Sequence, residues 1–198
     1  MFNIKNYKTF IIEKRVISGL EFEDYDDVID FVKQKHKFQT RKFSGEPYVF
    51  HPARVAKLTW DYTKDKNLTV SAFSHDLIED TDINWKDIKT KFGIKVAKIV
   101  QELTSNDKII RKKTRLLGNK NIAKSLYLLK KMLKMSDEAL TIKLIDRLDN
   151  TSDFNVASPK FIQKTKVGTR IIIKNLKKNR KLNKIQKEII YKIETNIQ

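Results

Sequence analysis

Two apolar segments of this chain carry charge where a helix would bury it, and any fold must satisfy both. Between Leu68 and Thr81, the residues Leu68, Val70, Ala72, Phe73, Leu77 and Ile78 repeat like the inner face of a helix, yet His75, Asp76, Glu79 and Asp80 interrupt them. A second segment, Ala139 to Leu148, is apolar apart from Thr141, Lys143, Asp146 and Arg147. A lone charge in such a setting is costly to bury. The spacing predicts one buried helix over 68–81, on which His75 and Asp76 share a face with Glu79 and Asp80 one turn later.

The rest of the chain is also helical in pattern. Tyr25, Val28, Ile29 and Val32 recur at helical spacing behind a run of carboxylates, predicting a first core helix over 24–37. Gly45 and Pro47 break the pattern between Gln39 and Tyr48 and leave a polar loop with two cations. His51-Pro52 opens the next helix, since Pro is tolerated in a first turn. Helical patterns follow over 85–103, interrupted near Gly93, and over the basic segment 122–135. The Lys- and Arg-rich stretch from Ser105 to Lys120 reads as irregular, either a flap or a surface loop. From Lys160 to Lys187 there is no Asp or Glu, but Phe161, Ile172, Leu176, Leu182, Ile185, Ile189 and Ile193 keep helical spacing. No segment alternates cleanly with period two. The expected fold is therefore all-α: a helical bundle in which residues 155–198 form a basic C-terminal helical extension packed on the body, all within one domain of 198 residues.

Composition narrows the chemistry. Cysteine is absent, which excludes disulfides and thiolate zinc sites and agrees with a reducing setting such as the cytoplasm. The first twenty residues scatter Lys5, Lys8, Lys14 and Arg15 among apolar positions, and no later stretch is long and uncharged enough to span a bilayer, so neither a signal peptide nor a membrane partner is expected. A formal charge of +18 would attract polyanions: nucleic acid, an anionic surface or a polyphosphorylated nucleotide. The ordinary alternative is Lys-rich usage spread over solvated faces.

The three histidines sharpen the reading. Two of them, His51 and His75, begin the dipeptides His-Pro and His-Asp. With Asp76 and Asp146 they make a set of nitrogen and oxygen donors that suits Mn²⁺ or another octahedral divalent ion. A shared cation would remove the cost of burying those carboxylates. It would also lower the pKa of a bound water and polarise a phosphoryl oxygen, while Glu79 and Asp80 position that water and shuttle its proton. Each feature has an ordinary explanation alone: a satisfied core histidine, or acidic residues at a helix end. Their combination is what points to a site.

At this point the sequence resembles a known family. Arg41-Lys-Phe-Ser-Gly-Glu-Pro-Tyr48, His51-Pro-Ala-Arg-Val-Ala56, Ser74-His-Asp-Leu-Ile-Glu-Asp-Thr81, Phe92-Gly93 and Ile142-Lys-Leu-Ile-Asp-Arg-Leu-Asp-Asn150 occur in the order found in the hydrolase domain of the RelA/SpoT alarmone family, over about 31–154. The resemblance implies an HD-domain bundle that cleaves the 3′-diphosphate of guanosine tetra- or pentaphosphate to GDP or GTP plus pyrophosphate. It implies Mn²⁺ on His51, His75, Asp76 and Asp146, and catalysis by Glu79 and Asp80. It matches Arg41, Lys42 and Ser44 to the loop that embraces guanine and phosphate, and Asn150 to a nucleoside contact. Bifunctional members append a synthetase domain for which 198 residues leave no room, so a hydrolase alone is expected.

A basic pocket edge of Arg41 and Lys42, with Lys143 or Arg147, fits so anionic a substrate. The chain departs from the family in four places: Phe38 stands where a Gly usually precedes the Gln, Phe43 is an extra residue, Asp149 replaces a frequent His, and Ser152 replaces a frequent Arg. All four concern the substrate shell. Two alternatives stay open on sequence: an HD phosphohydrolase of another nucleotide, and a basic nucleic-acid-binding protein with a vestigial site, using 108–134 and 160–187. The same basic helices would equally serve an oligomer contact.

Overall fold

The computed structural model describes residues 25–198. The cation-punctuated stretch before Leu20, read above as no leader, lies outside them. In chain order the helices are α1 (Asp26–Lys35), α2 (Phe50–Thr63), α3 (Lys66–Phe73), α4 (Leu77–Asp80), α5 (Trp85–Leu103), α6 (Asp107–Leu117), α7 (Lys120–Met132), α8 (Asp137–Ser152), α9 (Pro159–Asn179) and α10 (Lys184–Asn196), with a 3-10 turn at Asp153–Asn155. Among the described residues there is no strand, and an isolated antiparallel bridge joins Thr40 to Pro47. The all-α expectation holds.

Helix α8 is the axis of the molecule. Ala139, Leu140, Ile142, Leu144 and Ile145 are all 0% exposed, and Lys143, Asp146 and Asp149 are buried with them. A helix buried on every side must be surrounded, and α2, α3, α5 and α10 pack around α8. Helices α6 and α7 form a hairpin, and α9 lies against α7. In the basic C-terminal segment, Ile172, Ile173 and Leu176 of α9 and Ile189, Ile190 and Ile193 of α10 are buried. Arg180 fastens it, donating to the Met132 carbonyl at 2.8 Å and to Asp137 at 2.9 Å.

Local chemistry sets the helix ends. Asn84 and Asp87 make a reciprocal capping box at the start of α5, Asp65 caps α3, and Ser158 followed by Pro159 starts α9. Gly93, at φ 88° and ψ 169°, kinks α5 where the sequence pattern faltered.

Two expectations are corrected. The stretch 105–120 is not irregular: it holds α6, capped by Asn106, whose side chain accepts from the Ile109 N–H, and ended by Gly118 at φ 64°. Only Ile110 of this helix is buried; Ile109, Leu116 and Leu117 share its face but stay exposed among solvated cations. The segment 68–81 is not one helix either. His75 Nδ1 lies 2.7 Å from the Ala72 carbonyl, the acceptor that a continuing helix would offer to the Asp76 N–H. Helix α3 therefore stops at Phe73, and His75 and Asp76 sit in the turn before α4. Among the described residues no helix is long and apolar enough to cross a membrane.

Candidate active site

Three elements bring four donor residues together. The first turn of α2 supplies His51, the α3–α4 turn supplies His75 and Asp76, and the middle of α8 supplies Asp146. Single donor atoms of His51, His75 and Asp76 all lie within 4.8 Å of one another. Asp146 Oδ1 adds a fourth, 3.3 Å from His51 Nε2 and 3.9 Å from His75 Nε2. Asp76 Oδ2 is 3.6 Å from His51 Nε2 and 3.1 Å from His75 Nε2.

The donor set fits a divalent cation. His75 Nε2 is fully buried with no hydrogen-bond partner, while its Nδ1 is held by the Ala72 carbonyl. A buried orphan nitrogen is costly unless something binds it, and here that nitrogen faces two carboxylates. Mixed imidazole and carboxylate ligation suits a hard or borderline metal.

Electrostatics point the same way. Burial works against a charged His51, but Asp146, Asp149 and Asp76 outweigh it and lift the imidazole to about 9. Burial likewise opposes charge on His75, and Asp76 and Asp146 raise it. Burial alone would raise Asp76 and Asp146, yet His75 holds the first, and Lys143 and His51 the second, below the usual carboxylate range. The Lys143 ammonium sits 3.0 Å from Asp146 Oδ2, leaving Oδ1 turned to the histidines. The cluster is thus organised to hold concentrated positive charge.

The acidic pair lies at the rim. Tyr48 donates to Asp76 Oδ2 at 2.6 Å and reaches Asp80 Oδ2 at 3.3 Å, so one phenol links the donor cluster to Asp80. Burial, then Asp76 and Glu79, raise the Asp80 carboxyl above its ordinary range. Glu79 is turned toward the connection between α5 and α6, where its Oε1 accepts the Ser105 N–H at 2.6 Å. Lys131, donating to the Thr104 carbonyl, lies on the same side, and burial together with Lys143 brings its ammonium down to about 8.

The residues matched to the substrate divide into two groups. Arg41 and Asn150 join the site: Arg41 Nη1 donates to Asn150 Oδ1 at 3.1 Å, and Asn150 Nδ2 donates to Asp146 Oδ1 at 2.6 Å. Lys42 is exposed, with its ammonium over the Phe43 ring at 5.4 Å. Ser44 is also exposed and accepts the Glu46 N–H at 3.3 Å, shaping the turn at Gly45. Of the two cations offered for the pocket edge, Lys143 is in the site. Arg147 points away instead, donating to Thr169 of α9 at 2.9 Å. Sequence reasoning assigned no role to Tyr48, Arg54 or Lys131, and treated Asp149 only as a departure from pattern. The run Gly-Glu-Pro-Tyr was a signal for Tyr48; nothing in the spacing marks Lys131.

A helical bundle whose interior gathers His, His-Asp and Asp from three elements defines an HD-domain protein, and residues 29–181 match the HD domain. Within that class the chain belongs to the RelA/SpoT-type hydrolase family, which includes the MESH1 proteins of animals. It is 32% identical over 136 residues to Drosophila melanogaster MESH1, covering 67% of this chain and 70% of that one. It is 31% identical over 144 residues to the human MESH1, covering 71% and 75%. Both carry the name guanosine-3′,5′-bis(diphosphate) 3′-pyrophosphohydrolase. The Aquifex aeolicus protein of that name is 35% identical, but the match spans 65% of this chain and only 17% of that longer one. A solved structure of a metazoan SpoT ortholog, described as hydrolysing ppGpp and acting in starvation responses, superposes with a TM-score of 0.68 at 25% identity, covering 87% of this chain and 93% of that one. A Listeria monocytogenes structure at 20% identity and TM-score 0.59 shares the fold, over 74% of this chain and 98% of that one.

Proposed function

We propose that this protein is a Mn²⁺-dependent phosphohydrolase that removes the 3′-diphosphate from guanosine tetra- or pentaphosphate, giving GDP or GTP and pyrophosphate. The observation that carries the proposal is the convergence of His51, His75, Asp76 and Asp146, with Asn150 tying Asp146 to Arg41. The names of the two MESH1 relatives support the substrate.

In this reading His51, His75, Asp76 and Asp146 hold the cation, which when bound would polarise a phosphoryl oxygen and make water easier to deprotonate. Asp80, tethered to the cluster through Tyr48, orients the attacking water and accepts its proton, and Glu79 assists from the Ser105 side. The water oxygen bonds to the phosphorus attached to the 3′ oxygen. The bond between that phosphorus and the 3′ oxygen breaks, and the 3′ oxygen takes a proton. Arg41 offers a planar guanidinium to stack on the purine, and Asn150 meets the nucleoside. Lys42 and Ser44 flank the entry, where Lys42 adds charge that draws in a polyphosphate.

The proposed working unit is one domain in which the basic C-terminal helices complete the body, and the proposed setting is the cytoplasm. Incubation of the purified protein with guanosine tetraphosphate and Mn²⁺, beside Asp76→Ala and a panel of other nucleotides, tests the reading by anion-exchange analysis. Stoichiometric GDP and pyrophosphate from the wild type alone would support it. Turnover of a different nucleotide, with the alarmone untouched, would overturn the substrate assignment.

A further inference from the structure

Asp149 has no task in the scheme above, and its surroundings give it one. It lies on α8 three residues after Asp146 and is 5% exposed. Its Oδ2 is 2.7 Å from His51 Nδ1, the ring nitrogen opposite the one that faces Asp76 and Asp146. The same carboxylate takes Arg54 through both oxygens, Nε to Oδ1 at 2.7 Å and Nη2 to Oδ2 at 3.3 Å. The remaining guanidinium nitrogen, Nη1, holds Glu46 at 2.8 and 3.0 Å. Glu46 belongs to the loop that carries Arg41, and its carbonyl accepts the Arg41 N–H at 2.8 Å.

These contacts form one path: loop, Glu46, Arg54, Asp149, His51. Each link is a charge-assisted hydrogen bond, and the Arg54 fork matches the geometry of its carboxylates. A carboxylate on Nδ1 requires that nitrogen to carry the hydrogen, so Nε2 keeps its lone pair for a cation and the ring cannot rotate away. Arg54 in turn fixes Asp149 from the side facing the loop. A change in the loop's position therefore reaches His51 without touching substrate.

We propose that Asp149, Arg54 and Glu46 form a positioning relay through which the substrate-facing loop 39–48 sets the metal affinity of the His51 site. The relay rests on the reading of His51 as a metal ligand. By reciprocity, whatever pins the loop tightens the metal and the metal in turn steadies the loop.

The test is Mn²⁺ affinity, measured by calorimetry on wild type, Asp149→Asn, Glu46→Gln and the double variant, with the thermal midpoint of each metal-free protein recorded. Partners that orient a ligating His are typically worth ~10–100-fold in metal affinity, and Asp149→Asn is expected to lose that much. Glu46→Gln sits on a partly exposed loop and keeps the side-chain shape, so it remains informative if Asp149→Asn fails to fold. It is expected to lose about 3- to 10-fold, and the double variant no more than Asp149→Asn alone, since the two act in series. Wild-type affinity in Glu46→Gln, or losses that simply multiply, would overturn the relay while leaving the metal site intact. A wild type that took up no Mn²⁺ would overturn the metal reading and the relay with it.

Discussion

The Nδ1 atom of His75 lies 2.7 Å from the carbonyl oxygen of Ala72. This contact ends α3 and aims the other ring nitrogen at Asp76 and Asp146. With Nδ1 occupied, Nε2 is the one ring nitrogen that His75 can offer a cation, and it is buried beside the Asp76 and Asp146 carboxylates without a formed hydrogen bond. His75→Ala should therefore purify without metal under conditions where wild type retains about one equivalent of Mn²⁺. Metal analysis of the desalted proteins checks this, and full occupancy in the variant would remove His75 from the ligand set.

The acidic pair should behave differently. Glu79 and Asp80 stand at the rim, Asp80 one phenol away from the donor cluster. Glu79→Gln and Asp80→Asn should each lower kcat by ~10²-fold or more, within the usual range for general acid–base groups, and keep Mn²⁺ affinity within a few-fold of wild type. Steady-state kinetics beside calorimetry separates the two effects.

Lys143 and Asp146 form a buried pair at 3.0 Å. Lys143→Met leaves the carboxylate without its ammonium, a change that costs about 3–5 kcal/mol when a buried charge loses its partner. Bound Mn²⁺ would restore positive charge on the same carboxylate. The variant should thus melt well below wild type without metal and recover much of the difference in saturating Mn²⁺, as thermal unfolding with and without the ion would reveal.

The pH dependence of the metal-free protein has a definite sign. His51 is lifted from 6.5 to about 9, so the folded state binds its proton more tightly than the unfolded chain. The stabilisation is fully present below 6.5 and is lost as pH rises through about 9, amounting to ~3 kcal/mol at most. Thermal midpoints of metal-free wild type should fall across that window. With Mn²⁺ displacing the proton, that fall should disappear.

Arg41 and Asn150 meet at 3.1 Å beside Asp146. Removing the amide by Asn150→Ala takes one partner from the guanidinium and deletes the proposed nucleoside contact, so KM should rise by roughly tenfold, the upper size of one lost neutral hydrogen bond. A change in kcat alone, with KM untouched, would place Asn150 outside substrate binding.

The donor set was legible in the sequence because burying His75, Asp76 and Asp146 in apolar segments needs compensation wherever they fall. The break between α3 and α4 was not, since periodicity cannot register a side chain that takes a backbone carbonyl from its own helix. Helix α6 was hidden for another reason: its short apolar face of Ile109, Ile110, Leu116 and Leu117 stands among five cations, and only Ile110 is buried, so the cations outweighed the stripe while Asn106 and Gly118 set its ends. Asp149 stood out only as a departure from the family's pattern. Its part emerges from contacts 95 and 98 residues away in sequence, to Arg54 and His51.

The most direct test of the central claim is hydrolysis of guanosine tetraphosphate in ¹⁸O-labelled water with Mn²⁺, with both products read by mass spectrometry. The account predicts GDP without label and pyrophosphate carrying one labelled oxygen, because the new bond forms at phosphorus. Label in the nucleoside, or intact substrate after prolonged incubation with metal-loaded enzyme, would contradict it.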